Sequence, residues 1–148
     1  MDSRRRTQAR RLVEVRAVLR AAAQENLADA RASEARREEE QTDSADAVTA
    51  ACARWGDISA SPFDAVRVEL LSLAVRARCA EHEVAEQALA GARVETGRAR
   101  DRLLRSDADL RVADTRHVQI ERHALRKAER VALGALEDAT IQRWSDPK

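Results

Sequence analysis

The stretch Arg54-Trp55-Gly56-Asp57-Ile58-Ser59-Ala60-Ser61-Pro62-Phe63 decides the fold. Gly56, Asp57, Ser59, Ser61 and Pro62 form the one concentration of turn-forming residues in the chain. Pro62 suits the first turn of a helix, where its missing N–H is no loss, and Ser61 ahead of it is a ready N-cap. After Pro62 no proline occurs until Pro147, and none precedes it. The sequence therefore predicts helix 1 over about residues 3–54, a loop over 55–61 and helix 2 over about 62–144. At about 1.5 Å per residue these would be about 75 and 120 Å long, and they must lie against each other or against partners. The predicted class is all-α: residues 1–148 form a single long two-helix antiparallel coiled-coil hairpin with an overhanging second helix.

Composition agrees. Hydrophobic residues make up 44% of the 148 residues, but 31 of them are Ala, and the aromatics are Trp55, Phe63 and Trp144 alone. A compact core of this length needs more large side chains. Ala, Glu, Lys, Leu and Arg fill over half the chain and charged residues 36%, the composition of coiled coils and long helices. No apolar run reaches the length of a transmembrane helix, and the arginines of the N-terminal segment precede no signal-peptide apolar region. Cys52 and Cys79 are too few for a disulfide framework, so a cytoplasmic location is expected. A net charge of +1 argues against a dedicated nucleic-acid binder.

Apolar spacing supplies the seams. In helix 2, Phe63, Val66, Leu70, Leu73, Ala77, Ala80 and Val84 alternate three and four apart, as the a and d positions of a heptad do. A second run, Ala99, Leu103, Ser106, Leu110, Ala113, His117, Ile120, Ala124, Lys127 and Val131, is out of phase with it. A stutter is expected around residues 85–97. Helix 1 offers Leu12, Val15, Leu19, Ala23, Leu27 and Ala30, then Val48, Ala51, Cys52 and Trp55. With the fold-back at 55–61, Leu12 is expected near residue 106 and Leu27 near Gly91 and Ala92. Helix 2 should have no partner beyond about residue 115, and its overhanging face is then either a docking surface or a homodimer contact.

Nothing in the sequence reads as an active site. There is no P-loop, nucleophile elbow, zinc-protease motif, paired CxxC or EF-hand loop, so no catalytic residue, cofactor or metal site is expected. His117 and His123 lie about 240° apart around a helix and cannot share a metal. His117 falls on the seam as a polar layer, and the two cysteines read as small seam fillers.

Charge is more informative. Residues 1–20 and 98–130 are both rich in Arg, whereas 25–46 is acidic. In a hairpin the two basic stretches meet at the end bearing both termini, either as a solvated face or as a surface for an acidic partner. At the other end Val68, Leu71 and Val75 form a second apolar stripe off the heptad seam. With Trp55, Ile58 and Phe63 it is either covered by the loop or a partner-binding patch.

The run Glu121-Arg122-His123-Ala124-Leu125-Arg126-Lys127-Ala128-Glu129-Arg130, followed by Leu136-Glu137-Asp138-Ala139 and Arg143-Trp144, resembles the C-terminal segment of the FliJ/YscO-like proteins of flagellar or virulence-associated type III export systems. The break from Trp55 to Phe63 is similar to theirs too, whereas Gly134 and the high Ala content depart from their pattern. The resemblance implies a non-enzymatic central stalk, cytoplasmic and peripheral to the inner-membrane export machinery; the alternative reading of the sequence is a generic homodimerising cytoplasmic coiled-coil scaffold. The stalk's implied partners are the hexameric secretion ATPase, the cytoplasmic domain of the export-gate membrane protein and secretion chaperones, with no nucleic acid and no membrane insertion. Arg4, Arg5, Arg6, Arg10, Arg11, Arg122, Arg126, Lys127 and Arg130 would then contact the ATPase ring. Trp55, Phe63, Val68, Leu71 and Val75 would contact the export gate.

Overall fold

The structure, a computed structural model, describes residues 2–60 and 64–145, and among these Asp64 alone lies outside a helix. Helix α1 spans Asp2–Gly56, a single 3-10 turn follows over Asp57–Ala60, and helix α2 spans Ala65–Ser145. The two helices pack against each other as an all-α hairpin. Helix α2 begins three residues later than the sequence predicts. Its cap is Asp64, whose carboxylate Oδ1 accepts hydrogen bonds from the backbone N–H of Val66 at 3.1 Å and of Arg67 at 3.3 Å. The expected cap Ser61, with Pro62 and Phe63, lies outside the described residues.

The chain divides into two compact units, each built from both helices. In the first, Met1–Ala22 is joined by Leu104–Lys148. Three ion pairs cross between its helices, Arg6 with Glu121, Arg16 with Asp109 and Arg20 with Asp107, each at 2.8 Å. Rising numbers in α1 meet falling numbers in α2, so the packing is antiparallel. Ala113 is the buried apolar residue of this unit among the described residues. The second unit, Ala23–Leu103, buries Ala23, Leu27, Leu89 and Ala99. The Thr96 hydroxyl donates to the Ala30 carbonyl at 3.3 Å, and Ser44 Oγ shares a 2.9 Å hydrogen bond with His82 Nδ1. Arg93 reaches Glu38 at 3.3 Å and Glu34 at 3.7 Å. A buried leucine contributes about 1.5–3 kcal/mol and an alanine far less, so each layer of this seam is thin.

The seam differs in phase from the expectation. In α2 the side chains turned inward run Val68, Leu71, Val75, His82, Ala85, Leu89, Ala92, Thr96, Ala99 and Leu103, then Ser106, Leu110, Ala113, His117, Ile120 and Ala124. With Arg78 filling the one remaining place, these positions alternate three and four apart throughout, so there is no stutter. The stripe expected off the seam is on it, while Val66, Leu70, Leu73 and Val84 stay 65%, 62%, 53% and 65% exposed. One unbroken heptad phase needs no local over- or unwinding of the helix, whereas a stutter does. Helix α1 behaves likewise. Ala9, Val13, Arg16, Ala23, Leu27, Ala30, Glu34, Gln41, Ser44, Val48 and Ala51 face inward, and Leu12, Val15 and Leu19 are exposed.

Register differs as well. Leu12 lines a shallow depression with Ala113, Arg116 and Ile120, one heptad beyond the residue 106 expected for it. A heptad seam looks the same after a seven-residue slip, so the apolar pattern cannot choose between the two settings. Charge can, because this register places Asp107, Asp109 and Glu121 against Arg20, Arg16 and Arg6. The paired part of α2 therefore extends to at least Glu121, past the expected limit near residue 115. The cysteines are not seam fillers, since Cys52 and Cys79 are both exposed free thiols.

Candidate functional site: a cationic cleft

The first unit holds the one concentration of chemistry in the described chain. Arg5 and Arg6 of α1 and Ile120, His123, Ala124, Arg126, Lys127 and Arg130 of α2 line an open cleft of about 560 Å³. Helical spacing explains the gathering. Positions 123, 126, 127 and 130 lie three and four apart, so their side chains share one face of α2. Half-buried Ile120 and Ala124 form the apolar floor. The N-terminal turns of α1 bring in Arg5 and Arg6.

Arg6 is anchored. Its Nε donates to Glu121 Oε1 at 3.0 Å and Oε2 at 3.1 Å, and Nη2 lies 2.8 Å from Oε2. The hydrogen bond from Arg6 holds the Glu121 carboxyl below its ordinary value, helped by the charges of Arg6 and His117, and Glu121 raises Arg6 in turn. Arg5, Arg126 and Arg130 carry no ion pair among the described residues. Uncompensated guanidinium groups over an apolar floor suit carboxylate or phosphate groups, which a guanidinium grips through two parallel hydrogen bonds.

Of the nine basic residues assigned to a ring contact, the cleft gathers Arg5, Arg6, Arg126, Lys127 and Arg130. Arg4 and Arg122 are exposed and do not line it. Arg10 pairs with Glu14 at 3.1 Å, and Arg11 lies beside an exposed strip of Val15, Val18 and Leu19. Of the five residues assigned to a gate contact, Trp55 is 41% exposed at the end of α1. Val68, Leu71 and Val75 are half-buried on the inward face of α2, and Phe63 is outside the described residues. Val68, Leu71 and Val75 therefore do not share an exposed patch with Trp55.

Sequence reasoning missed His123 as a cleft member and the cross-helix roles of Arg16 and Arg20. Arginines at the heptad positions of α1 were the available signal, since a charge there must find a partner on the facing helix. His117 does lie half-buried on the seam, where its Nδ1 is buried with no hydrogen-bond partner among the described residues. Among the described residues no three His, Cys, Asp or Glu side chains converge as metal ligands, and no helix is long and apolar enough to cross a membrane.

Beyond Ala124, α2 runs on to Ser145 with Leu125, Val131, Leu133, Leu136, Ile141 and Trp144 all more than half exposed. No protein-family model, curated protein or solved structure matches the chain.

Proposed function

We propose that this chain is a non-enzymatic docking stalk whose cationic cleft and projecting α2 segment engage an acidic protein partner. The partner is the hexameric ATPase of a type III export system, and the chain links that ring to the export gate and to secretion chaperones. The cleft is the observation that carries the reading. It sets Arg5, Arg126 and Arg130 together over an apolar floor, none of them in an ion pair among the described residues. A surface of this kind steers and orients an acidic partner. The resemblance of the Glu121–Arg130 run to the FliJ/YscO-like segment names the partner class. In this reading ATP hydrolysis belongs to the ring, and this chain biases the ring by occupying it.

The test uses the full chain and the export ATPase from the same cell. Arg5→Glu, Arg126→Glu and Arg130→Glu together should weaken co-sedimentation with the hexamer by tenfold or more and abolish stimulation of its hydrolysis. Helicity should be unchanged, because exposed charges contribute about 0–1 kcal/mol each to folding. Full stimulation by the folded triple variant would refute the reading.

A further inference from the structure

The second unit carries an apolar stripe that α1 does not cover. Val66, Leu70, Leu73, Ala77, Ala80 and Val84 lie three and four apart on the face of α2 turned away from α1. The four large side chains are each more than half exposed. This helix therefore has two heptad seams, one filled by α1 and one open. Heptad spacing over about five turns suits a partner helix rather than a strand or a lipid surface.

We infer that the open stripe is filled by α2 of a second copy of this chain, the two α2 helices running parallel. The charges beside the stripe favour that occupant and that direction. With Leu70, Ala77 and Val84 at a and Val66, Leu73 and Ala80 at d, the flanking g positions are Glu69, Arg76 and Glu83. The e position following Arg76 is Glu81. In a parallel pair Arg76 of each copy meets Glu81 of the other, twice by symmetry, and no like charges are opposed. An antiparallel pair keeps two attractive contacts, Arg67 against Glu81, but opposes Glu69 to Glu83 twice and Arg76 to Arg76, and these three repulsions disfavour it. Glu81 is preset for the contact. Its Oε2 is held by Arg78 at 2.6 Å within the helix, leaving Oε1 to accept from Arg76 of the second copy. The charged residues at these flanks, Arg67, Glu69, Arg76, Glu81 and Glu83, are all exposed. The inference is independent of the cationic cleft and of the partner proposed for it, because it uses none of the cleft residues.

Sedimentation velocity of the full chain over a concentration series tests it. The wild type should show a reversible monomer–dimer equilibrium. Leu70→Gln with Leu73→Gln should raise the dimer dissociation constant about 100-fold or more while helicity stays unchanged. Arg76→Glu alone should weaken the dimer, and Arg76→Glu with Glu81→Arg should restore it. In a Cys52→Ser, Cys79→Ser background, Ala80→Cys should oxidise to a covalent dimer, since only the parallel arrangement opposes residue 80 to itself. A chain that stays monomeric at all concentrations overturns the inference, as does a dimer indifferent to the leucine changes. A dimer that persists without cross-linking at residue 80 overturns the parallel arrangement.

Discussion

Two triples of identical composition separate the inward and outward faces of α2. Val68, Leu71 and Val75 are half-buried against α1, whereas Val66, Leu70 and Val84 keep 65%, 62% and 65% of their surface exposed. Replacing either triple by Ser changes helix propensity equally, so the difference between the variants reports burial alone. A fully buried Val or Leu contributes about 1.5–3 kcal/mol, so losing three largely covered side chains should cost about 3–5 kcal/mol. For the outward triple only about a third of that burial exists to be lost, about 1.5 kcal/mol in all. Urea unfolding followed by far-UV circular dichroism, in dilute solution where self-association does not contribute, reads both. With a slope of about 2 kcal/mol per molar, the inward triple should lower the midpoint by about 2 M or leave the chain unfolded. The outward triple should shift it by less than about 1 M. Equal midpoints, or a larger loss for the outward triple, would refute the phase of the seam.

His117→Leu should raise stability by about 1–2 kcal/mol, because it removes a buried imidazole nitrogen with no hydrogen-bond partner and adds apolar area to the seam; thermal melts check the sign. Stability should also fall in acid. Glu121 is held below its ordinary value of 4.5 by Arg6. Its contribution is therefore complete above that value and is lost as pH falls through the lowered one. A Glu121→Gln variant should show a shallower loss below pH 4.5, and an unchanged slope would mean that this pair does not couple to folding.

How much of this was legible in the sequence depends on what each feature rests on. The hairpin was readable, because Gly56 to Pro62 is the one break between two long Ala- and Arg-rich helices, and turn chemistry is local. The terminal cationic end was readable from Arg5, Arg6, Arg126, Lys127 and Arg130, since the fold-back alone brings the two ends of the chain together. The phase of α2 before Ala99 was not. Two stripes of equal quality, one led by Val66 and one by Val68, compete there, and only continuity with the Ala99–Ala124 seam decides between them. Register was not readable from apolar spacing either, because a heptad slip leaves Leu12 facing a small residue in both settings. What distinguishes the settings is Arg16 against Asp109 and Arg20 against Asp107, pairs that become visible only once the two helices are laid side by side.

Register is also what a single measurement tests best. The Thr96 hydroxyl reaches the Ala30 carbonyl, so these two positions face each other across the hairpin. In a Cys52→Ser, Cys79→Ser background, the pair Ala30→Cys and Thr96→Cys should close an intramolecular disulfide under mild oxidation, detected by mobility and mass. The pair Ala30→Cys and Leu89→Cys, one heptad away, should stay reduced under the same conditions. Cross-linking of the 30–89 pair in place of the 30–96 pair would contradict the register, and with it the faces assigned to both helices.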